Sequence, residues 1–327
     1  CYLKLYLNNN LGDDLFLKVT SDRYKDNIIT ISRNKYNKKF YCDNLKIIYI
    51  NYFLFRCFNK LSKMLNKNNI LEMFFIKESD FVVILGGSIF MESKKRLGES
   101  NKSWYEKLNK NYYILGSNVG PYYTEDFIKD TIEIFDKAQD VCLRDKKSYN
   151  LVRSCKKVRQ ASDIIFFLFV NKYIKNEKKI LAISVINCDK KAGQIKSPNQ
   201  ELYEEKINEI VNFFLKENYN IKLISFCKDE GDETTINNLF NKYSYDSRVK
   251  KYFYNGNIEE ILYELGESSL IIGSRFHANI LGLIMDKPII PIIYNDKTEN
   301  LLNDINFEGI RIDINKLEEF KISNKYE

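Results

Sequence analysis

The sequence predicts an α/β protein made of two doubly wound domains, Rossmann-like in plan, that face each other across a cleft. Three observations carry this expectation. Short apolar runs alternate with helical patterns along the whole chain, the βαβ signature of parallel sheets. The 327 residues exceed the roughly 100–200 that one domain usually takes. The alternation also pauses once, at the polar, Lys-rich stretch VNKYIKNEKK after Phe169, and then restarts. That stretch reads as the crossing between a domain at 1–172 and a second at 178–327. In such a plan ligands sit at the carboxyl ends of the strands.

Element by element, the first half places strands at Leu3–Leu7, Ile28–Ser32, Ile47–Ile50, Phe81–Leu85, Tyr112–Leu115 and Val141–Leu143. Helices fall between them at Asp13–Tyr24, Ile70–Lys77, Thr124–Lys137 and Lys146–Ser154. Thr124 suits an N-cap, with Glu125 and Asp126 complementing the dipole in the first turn. The second half places strands at Ile180–Ile186, Ile221–Phe226, Val249–Tyr254, Leu270–Gly273 and Ile289–Ile293. Helices at Glu201–Glu217, Glu233–Tyr243, Ile258–Leu265, Phe276–Met285 and Thr298–Asp304 separate them.

Composition narrows the function classes. Hydrophobic residues at 44% and charged residues at 29% describe a folded chain, and 13 Gly with 4 Pro exclude collagen-like and Pro-rich readings. The net charge of +7 favours anionic ligands but is too diffuse to point to nucleic acid, which is not an expected partner. The Lys-rich stretches Lys35–Lys39, Lys175–Lys179 and Lys190–Lys196 read most simply as solvated loops. Seven scattered cysteines (Cys1, Cys42, Cys57, Cys142, Cys155, Cys188, Cys227) form no CxxC pair, and a lone histidine, His277, rules out a multi-His metal site. Such cysteines suit free thiols in a reducing compartment. The apolar runs Ile164–Val170 and Ile289–Tyr294 fall short of the roughly 20 residues a membrane helix needs, and Ile47–Phe58 is broken by Asn51 and Arg56. Tyr2–Leu7 has no basic flank before it, so no signal peptide is expected there. The expectation is a cytoplasmic protein, working in solution or at the inner face of the membrane.

Glycine placement marks the candidate site. Gly86-Gly87-Ser88 ends one strand run, and Gly116-Ser117-Asn118-Val119-Gly120-Pro121 ends another. Glycine lets the backbone turn with positive φ and approach a ligand, and the amides that follow can bind an anion. A strand-to-helix turn without ligand is the plain alternative. Neither stretch matches GxxxxGK[ST] or GxGxxG, which disfavours a phosphate-loop or dinucleotide site.

The strongest local signal is SLIIGSRFHANILGLIMDKPIIPIIYNDK, residues 269–297. A buried strand runs into Gly273, Ser274 can cap, and a helix opens near Arg275. Arg275 and His277 stand about 200° apart on a regular helix, yet in the first turn both can converge on an anion over the open helix end. A guanidinium there suits phosphate or carboxylate, and His277 has the ordinary pKa for proton exchange near neutrality. The plain alternative is a packed histidine beside a surface arginine. Cys142-Leu143-Arg144-Asp145 repeats the arrangement, so Arg144 can be a second anion clamp or simply pair with Asp145 on a solvated helix end.

Together these motifs resemble the polysaccharide pyruvyl transferase family. Gly273-Ser274-Arg275-Phe276-His277-Ala278, then Lys287-Pro288 and Tyr294-Asn295-Asp296-Lys297, is similar to the family's Gly-x-Arg-x-His-Ala segment and later Tyr-x-x-Lys. Gly86-Gly87-Ser88 resembles its glycine-rich turn, with Ser88 in place of a third glycine. The stretch Gly116–Pro121 resembles its Gly-x-x-x-Gly-Pro segment, and Leu143-Arg144-Asp145 with Ser148 its Arg-Asp-x-x-Ser element. Asn10-Leu11-Gly12-Asp13 is similar to its Asn-x-Gly-Asp turn, and Ser162-Asp163 stands where the family often has Pro-Asp.

The resemblance implies a glycosyltransferase-B-like fold. It also implies transfer of a pyruvyl group from phosphoenolpyruvate to two hydroxyls of a sugar, with release of phosphate. On that reading phosphoenolpyruvate is a donor substrate and no resident cofactor or metal is expected. The acceptor is a glycan, lipid-linked or free. His277 is the expected general acid or base, with Arg275 and Arg144 on the donor. Asn10, Gly12, Asp13, Gly86, Gly87, Ser88, Gly116, Ser117, Asn118, Gly120, Ser274 and Lys297 complete the expected binding set. Two rivals share the scaffold: a glycosyltransferase using a nucleotide sugar, and a non-catalytic binder of anionic glycan or nucleic acid, which the +7 charge permits.

Overall fold

The computed structural model describes residues 1–7, 9–32, 43–65, 69–175, 179–191, 194–195 and 199–322. Lys35–Lys39, Cys42, Lys196 and the middle of the expected crossing, 176–178, lie outside the described residues. The chain divides into two units, one of Cys1–Asn8 and Phe16–Ile164, the other of Asn9–Leu15 and Ile165–Glu327. The crossing expected at 172–178 begins a few residues beyond this division.

Among the described residues the first unit carries seven strands: β1 (Tyr2–Lys4), β2 (Ile28–Ser32), β3 (Leu45–Tyr49), β4 (Val82–Leu85), β5 (Tyr112–Ser117), β6 (Asp140–Leu143) and β7 (Val158–Gln160). They pair in the order β3-β2-β1-β4-β5-β6-β7, and every ladder is parallel. The helices are α1 (Leu11–Arg23), whose first turn counts with the second unit, α2 (Tyr52–Met64), α3 (Ile70–Lys77), α4 (Lys102–Glu106), α5 (Glu125–Lys137) and α6 (Lys146–Leu151). β4 reads VVIL and is buried throughout, because a parallel sheet is covered on both faces and cannot alternate. In α5 the residues Phe127, Thr131, Ile134 and Phe135 are buried at helical spacing. Thr124 caps this helix by accepting from the Phe127 amide at 3.3 Å.

The second unit holds β8 (Ile180–Ser184), β9 (Asn220–Ile224), β10 (Val249–Tyr252), β11 (Leu270–Gly273), β12 (Ile289–Ile293) and β13 (Ile312–Asp313). Their order is β10-β9-β8-β11-β12-β13, again parallel throughout. The helices are α7 (Gln200–Lys216), α8 (Asp232–Asn241), α9 (Ile258–Gly266), α10 (Phe276–Ile284) and α11 (Asp296–Asp304). Leu181, Ile183, Ile221, Leu223 and Ile272 face Ile207, Val211 and Ile236 in one core. Each fully buried side chain of this kind contributes about 1.5–3 kcal/mol.

Both sheets therefore follow the doubly wound order in which the chain runs to one edge, returns to the centre and continues to the other. The switch points lie between β1 and β4 and between β8 and β11. The sequence reading missed α2, which takes up most of the stretch Ile47–Phe58, and it missed the edge strands β7 and β13. With three and two residues respectively, those strands are too short to show a period. β1 also stops at Lys4 instead of reaching Leu7. Among the described residues no helix is long and apolar enough to cross a membrane.

Candidate active site

In the second unit β11 ends at Gly273 and α10 opens at Phe276, so Ser274 and Arg275 form the turn at the switch point. That turn is tied to the end of the neighbouring β8. The Ser274 amide donates to the Ser184 carbonyl at 3.0 Å, and the Arg275 amide donates to Ser184 Oγ at 3.2 Å. Ser274 does not cap α10. Its buried hydroxyl lies 2.7 Å from Tyr203 Oη on α7, and Arg275 takes the N-cap position without a side-chain bond. Ser274 stands one residue too early to reach the helix amides.

Arg275 is neither a surface arginine nor an open anion clamp. Its guanidinium is buried and grips both oxygens of Asp232, with Nε at 3.0 Å from Oδ2, and also pairs with Glu230. Lys191 Nζ meets the same Glu230 carboxylate at 2.6 Å. Asp232 opens α8 and also accepts the amides of Phe226 (2.9 Å) and Cys227 (3.0 Å), so one carboxylate fastens the end of β9 to the β11 turn. Two cations and two anions balance here. Burial alone would lower the Arg275 pKa, but Asp232 and Glu230 hold it well above its ordinary value. Burial would likewise raise Glu230, yet Arg275 and Lys191 bring it down to about 2. Burial pushes the neighbouring Cys227 thiol up to about 11, which removes it as a thiolate nucleophile at neutral pH.

Lys297 adds one further cation beside this balanced cluster. Tyr294, buried at the end of β12, has its phenol pKa lowered: burial acts upward, but Lys297, Lys191 and Arg275 together act downward more strongly. Lys297, in the first turn of α11, lies with Nζ 5.6 Å from the Phe276 ring centroid. His277 packs edge-on to the same ring, 5.0 Å between centroids.

His277 also meets the beginning of the chain. The first turn of α1 is fastened within the second unit by the Leu11 amide to the Phe226 carbonyl (2.9 Å), by an Asn10–Cys227 bridge, and by Tyr254 Oη on the Asp14 carboxylate. Asn10 Oδ1 accepts the Gly12 amide at 3.0 Å, and Asp13 lies half-buried on the same turn. The imidazole of His277 occupies the space a side chain at residue 12 would fill: a Cβ on Gly12 would collide with Nδ1. His277 as a residue is half-buried, its ring packs against the Gly12 backbone and Phe276, and its Nε2 is shielded from solvent.

The first unit builds a separate constellation from the ends of β4, β5 and β6. Arg144 Nη1 pairs with Asp163 at 3.0 Å, and Nη2 donates to Asn118 Oδ1 at 2.6 Å and Ser88 Oγ at 3.5 Å. The alternative of a solvated helix end does not hold, because Arg144 is buried and paired with Asp163. Asp145 caps α6 through the Ser148 amide at 2.8 Å, because its extended backbone turns the carboxylate onto the helix. Ser117 Oγ donates to the Gly86 carbonyl (2.8 Å), and the Asn118 amide donates to that of Gly87 (2.8 Å). Gly116 and Gly120 take φ of 72° and 113°. Gly87 is needed for a different reason: a Cβ there would run into the Arg144 guanidinium.

Compared with known proteins, the sequence profile of the family described as polysaccharide pyruvyl transferase matches residues 10–296. The chain belongs to this family. The matched span opens at Asn10 and closes at Asp296, so it takes in both constellations except Lys297. The amylovoran biosynthesis protein AmsJ of Erwinia amylovora is 21% identical over 266 residues, 74% of this chain. The match spans 63% of that relative's length. Among solved structures, the Anabaena protein HepE, in complex with UDP and glucose, superposes with a TM-score of 0.55 at 8% identity, covering 91% of this chain and 81% of that one. A glycosyltransferase from Rickettsia africae gives 0.55 at 14% identity, covering 97% and 84%. The UDP-GlcNAc 2-epimerase of Methanocaldococcus jannaschii gives 0.53 at 11%, covering 97% and 90%. These likenesses show the fold alone, a glycosyltransferase-B-like pair of parallel α/β domains.

For this pyruvyl transferase family member the sequence reading missed Asp232, Glu230, Lys191 and Tyr203. A signal was present. Asp229-Glu230-Gly231-Asp232-Glu233 is a dense acidic run at a strand end in a chain of net charge +7.

Proposed function

We propose that this chain transfers the pyruvyl group of phosphoenolpyruvate to two hydroxyls of one sugar in a polysaccharide or its precursor. Protonation of the enol methylene gives an oxocarbenium-like centre. One sugar hydroxyl attacks it, phosphate leaves, and the second hydroxyl closes the ketal. Two hydroxyl protons are lost, one is gained by the methylene carbon, and the other departs with phosphate or solvent. His277 is assigned as the group that delivers or recovers a proton, at ring nitrogens held beside Gly12 in the first turn of α10. Lys297 and the α10 amino end supply positive potential for the donor anion. Arg275, fully engaged by Asp232 and Glu230, acts as a positioning residue for that turn. Arg144, set by Asp163 and Asn118, is kept as a substrate-binding group of the first unit. The reading carries a cytoplasmic site of action, at the inner membrane face when the acceptor is lipid-linked.

The observation that supports this reading most is the seating of the chain's sole imidazole against a glycine backbone at the switch point, within a family-matched span. The test incubates the protein with phosphoenolpyruvate and candidate glycans, and follows phosphate release and the mass of an added pyruvyl ketal. His277→Gln is expected to lower turnover by about 10²–10⁴ with little change in melting. Thermal stabilisation by a nucleotide sugar but not by phosphoenolpyruvate would overturn the proposal.

A further inference from the structure

The first unit contains a cavity that neither constellation uses. It has a volume of about 310 Å³, at the lower end of the roughly 300–1,000 Å³ that small-ligand pockets occupy. The segment leaving β1 (Lys4–Leu7), the end of β4 and residues of β2 enclose it, with Trp104, Glu72 and Phe55 completing the wall. It therefore lies outside the carboxyl end of β1, at the switch point of its sheet, where doubly wound proteins receive ligands.

Its chemistry differs from that of the cationic second-unit site. The ammonium of Lys4 sits 3.6 Å from the Trp104 ring centroid and 2.8 Å from Glu72. Glu72 also accepts from Tyr2 Oη at 3.3 Å and Trp104 Nε1 at 3.4 Å. The pair is charge-neutral, so the cavity offers no net attraction to a phosphate or carboxylate. What remains is an aromatic and aliphatic wall with a polar floor. Tyr6 lines the cavity and leaves 58% of its surface to solvent, an aromatic side chain open to a ligand. A ligand with an apolar face and a belt of uncharged hydroxyls satisfies both surfaces at once.

We infer that this cavity binds an uncharged hexopyranose ring, the acceptor sugar of the reaction proposed above, with Tyr6 and Trp104 as its aromatic contacts. The inference rests on that reading for the word acceptor, but not for the binding itself. Trp104 is the sole tryptophan of the chain, so its emission reports on the cavity directly. The full chain is titrated with methyl glycosides of glucose, galactose, mannose and N-acetylglucosamine. A saturable change in emission is expected with at least one, and a dissociation constant raised tenfold or more in Tyr6→Ala at unchanged melting temperature. No saturable change with any of the four, or equal affinity in Tyr6→Ala, overturns the inference. Phosphoenolpyruvate binding is followed separately by melting temperature. Loss of that binding with sugar binding intact removes the proposed reaction and leaves the sugar site standing; the reverse result removes the sugar site alone.

Discussion

Replacing Gly12 by Ala sets two ordinary effects against each other, and the geometry decides between them. Gly12 is helical, and in a helix Ala is favoured over Gly by about 1 kcal/mol. On propensity alone the variant is more stable. The added Cβ, however, would fall on Nδ1 of His277, and the turn that carries it is tied at Phe226, Cys227 and Tyr254. Overpacking of this kind costs about 1–3 kcal/mol, so the net change runs from about zero to 2 kcal/mol destabilising. At about 2–4 °C per kcal/mol for a domain of this size, the melting temperature falls by up to about 8 °C. The imidazole is the softer partner and should move. Because His277 is the only histidine, its ring gives one set of NMR signals, and these must shift in the variant. Turnover should drop by about 10²–10⁴ if the ring handles the proton. A variant that melts higher with its imidazole signals unmoved refutes the close approach, and full turnover with a displaced ring refutes the catalytic role.

Three further outcomes follow from the charged clusters. Asp232→Asn leaves the Arg275 guanidinium short of one of its two carboxylates. The loss should reach the lower part of the 3–5 kcal/mol range for a broken buried pair, at least about 6 °C of melting temperature; an unchanged melting curve would show that the carboxylate does not fasten the turn. Glu230 has a folded pKa of about 2 against an ordinary 4.5, so its stabilisation is present above pH 4.5 and disappears as pH falls towards 2. Wild type and Glu230→Gln should therefore differ in denaturant stability at pH 6 and converge near pH 2, modestly, since the side chain is about a third exposed; a gap that widens with acid contradicts the assignment. Gly87→Ala should destabilise by about 1–3 kcal/mol through its clash with Arg144, and less when Arg144→Met is already present, a coupling read from a double-mutant cycle.

Much of the architecture was legible: Leu270–Gly273 and Ile289–Ile293 show as apolar runs because central parallel strands are buried on both faces, Ile28–Ser32 shows as an alternating strand, and all three were placed to the residue. α2 was not, although its apolar residues do gather on one side at helical spacing; Phe53, Leu54 and Met64 on it lie exposed rather than buried in a core. The Arg275 and His277 turn was legible from a strand running into Gly-Ser before a helix. Its partners were not. The pairing of Arg275 with Asp232, and of His277 with Gly12, joins residues remote in the chain, and no local period or cap signals such a contact. For the same reason Arg144 could be identified but not its partner Asp163, which only a folded sheet brings within 3.0 Å.

Among the described residues every ladder that joins two strands is parallel. Neither half can therefore begin from a hairpin; each pairing waits for an intervening crossover to be threaded and closed. Such topologies assemble slowly and leave strand edges uncovered in the meantime. During synthesis the long interval before β4 reaches β1, and β11 reaches β8, is when this chain is most open to aggregation, so lower growth temperature and slower expression should raise its soluble yield.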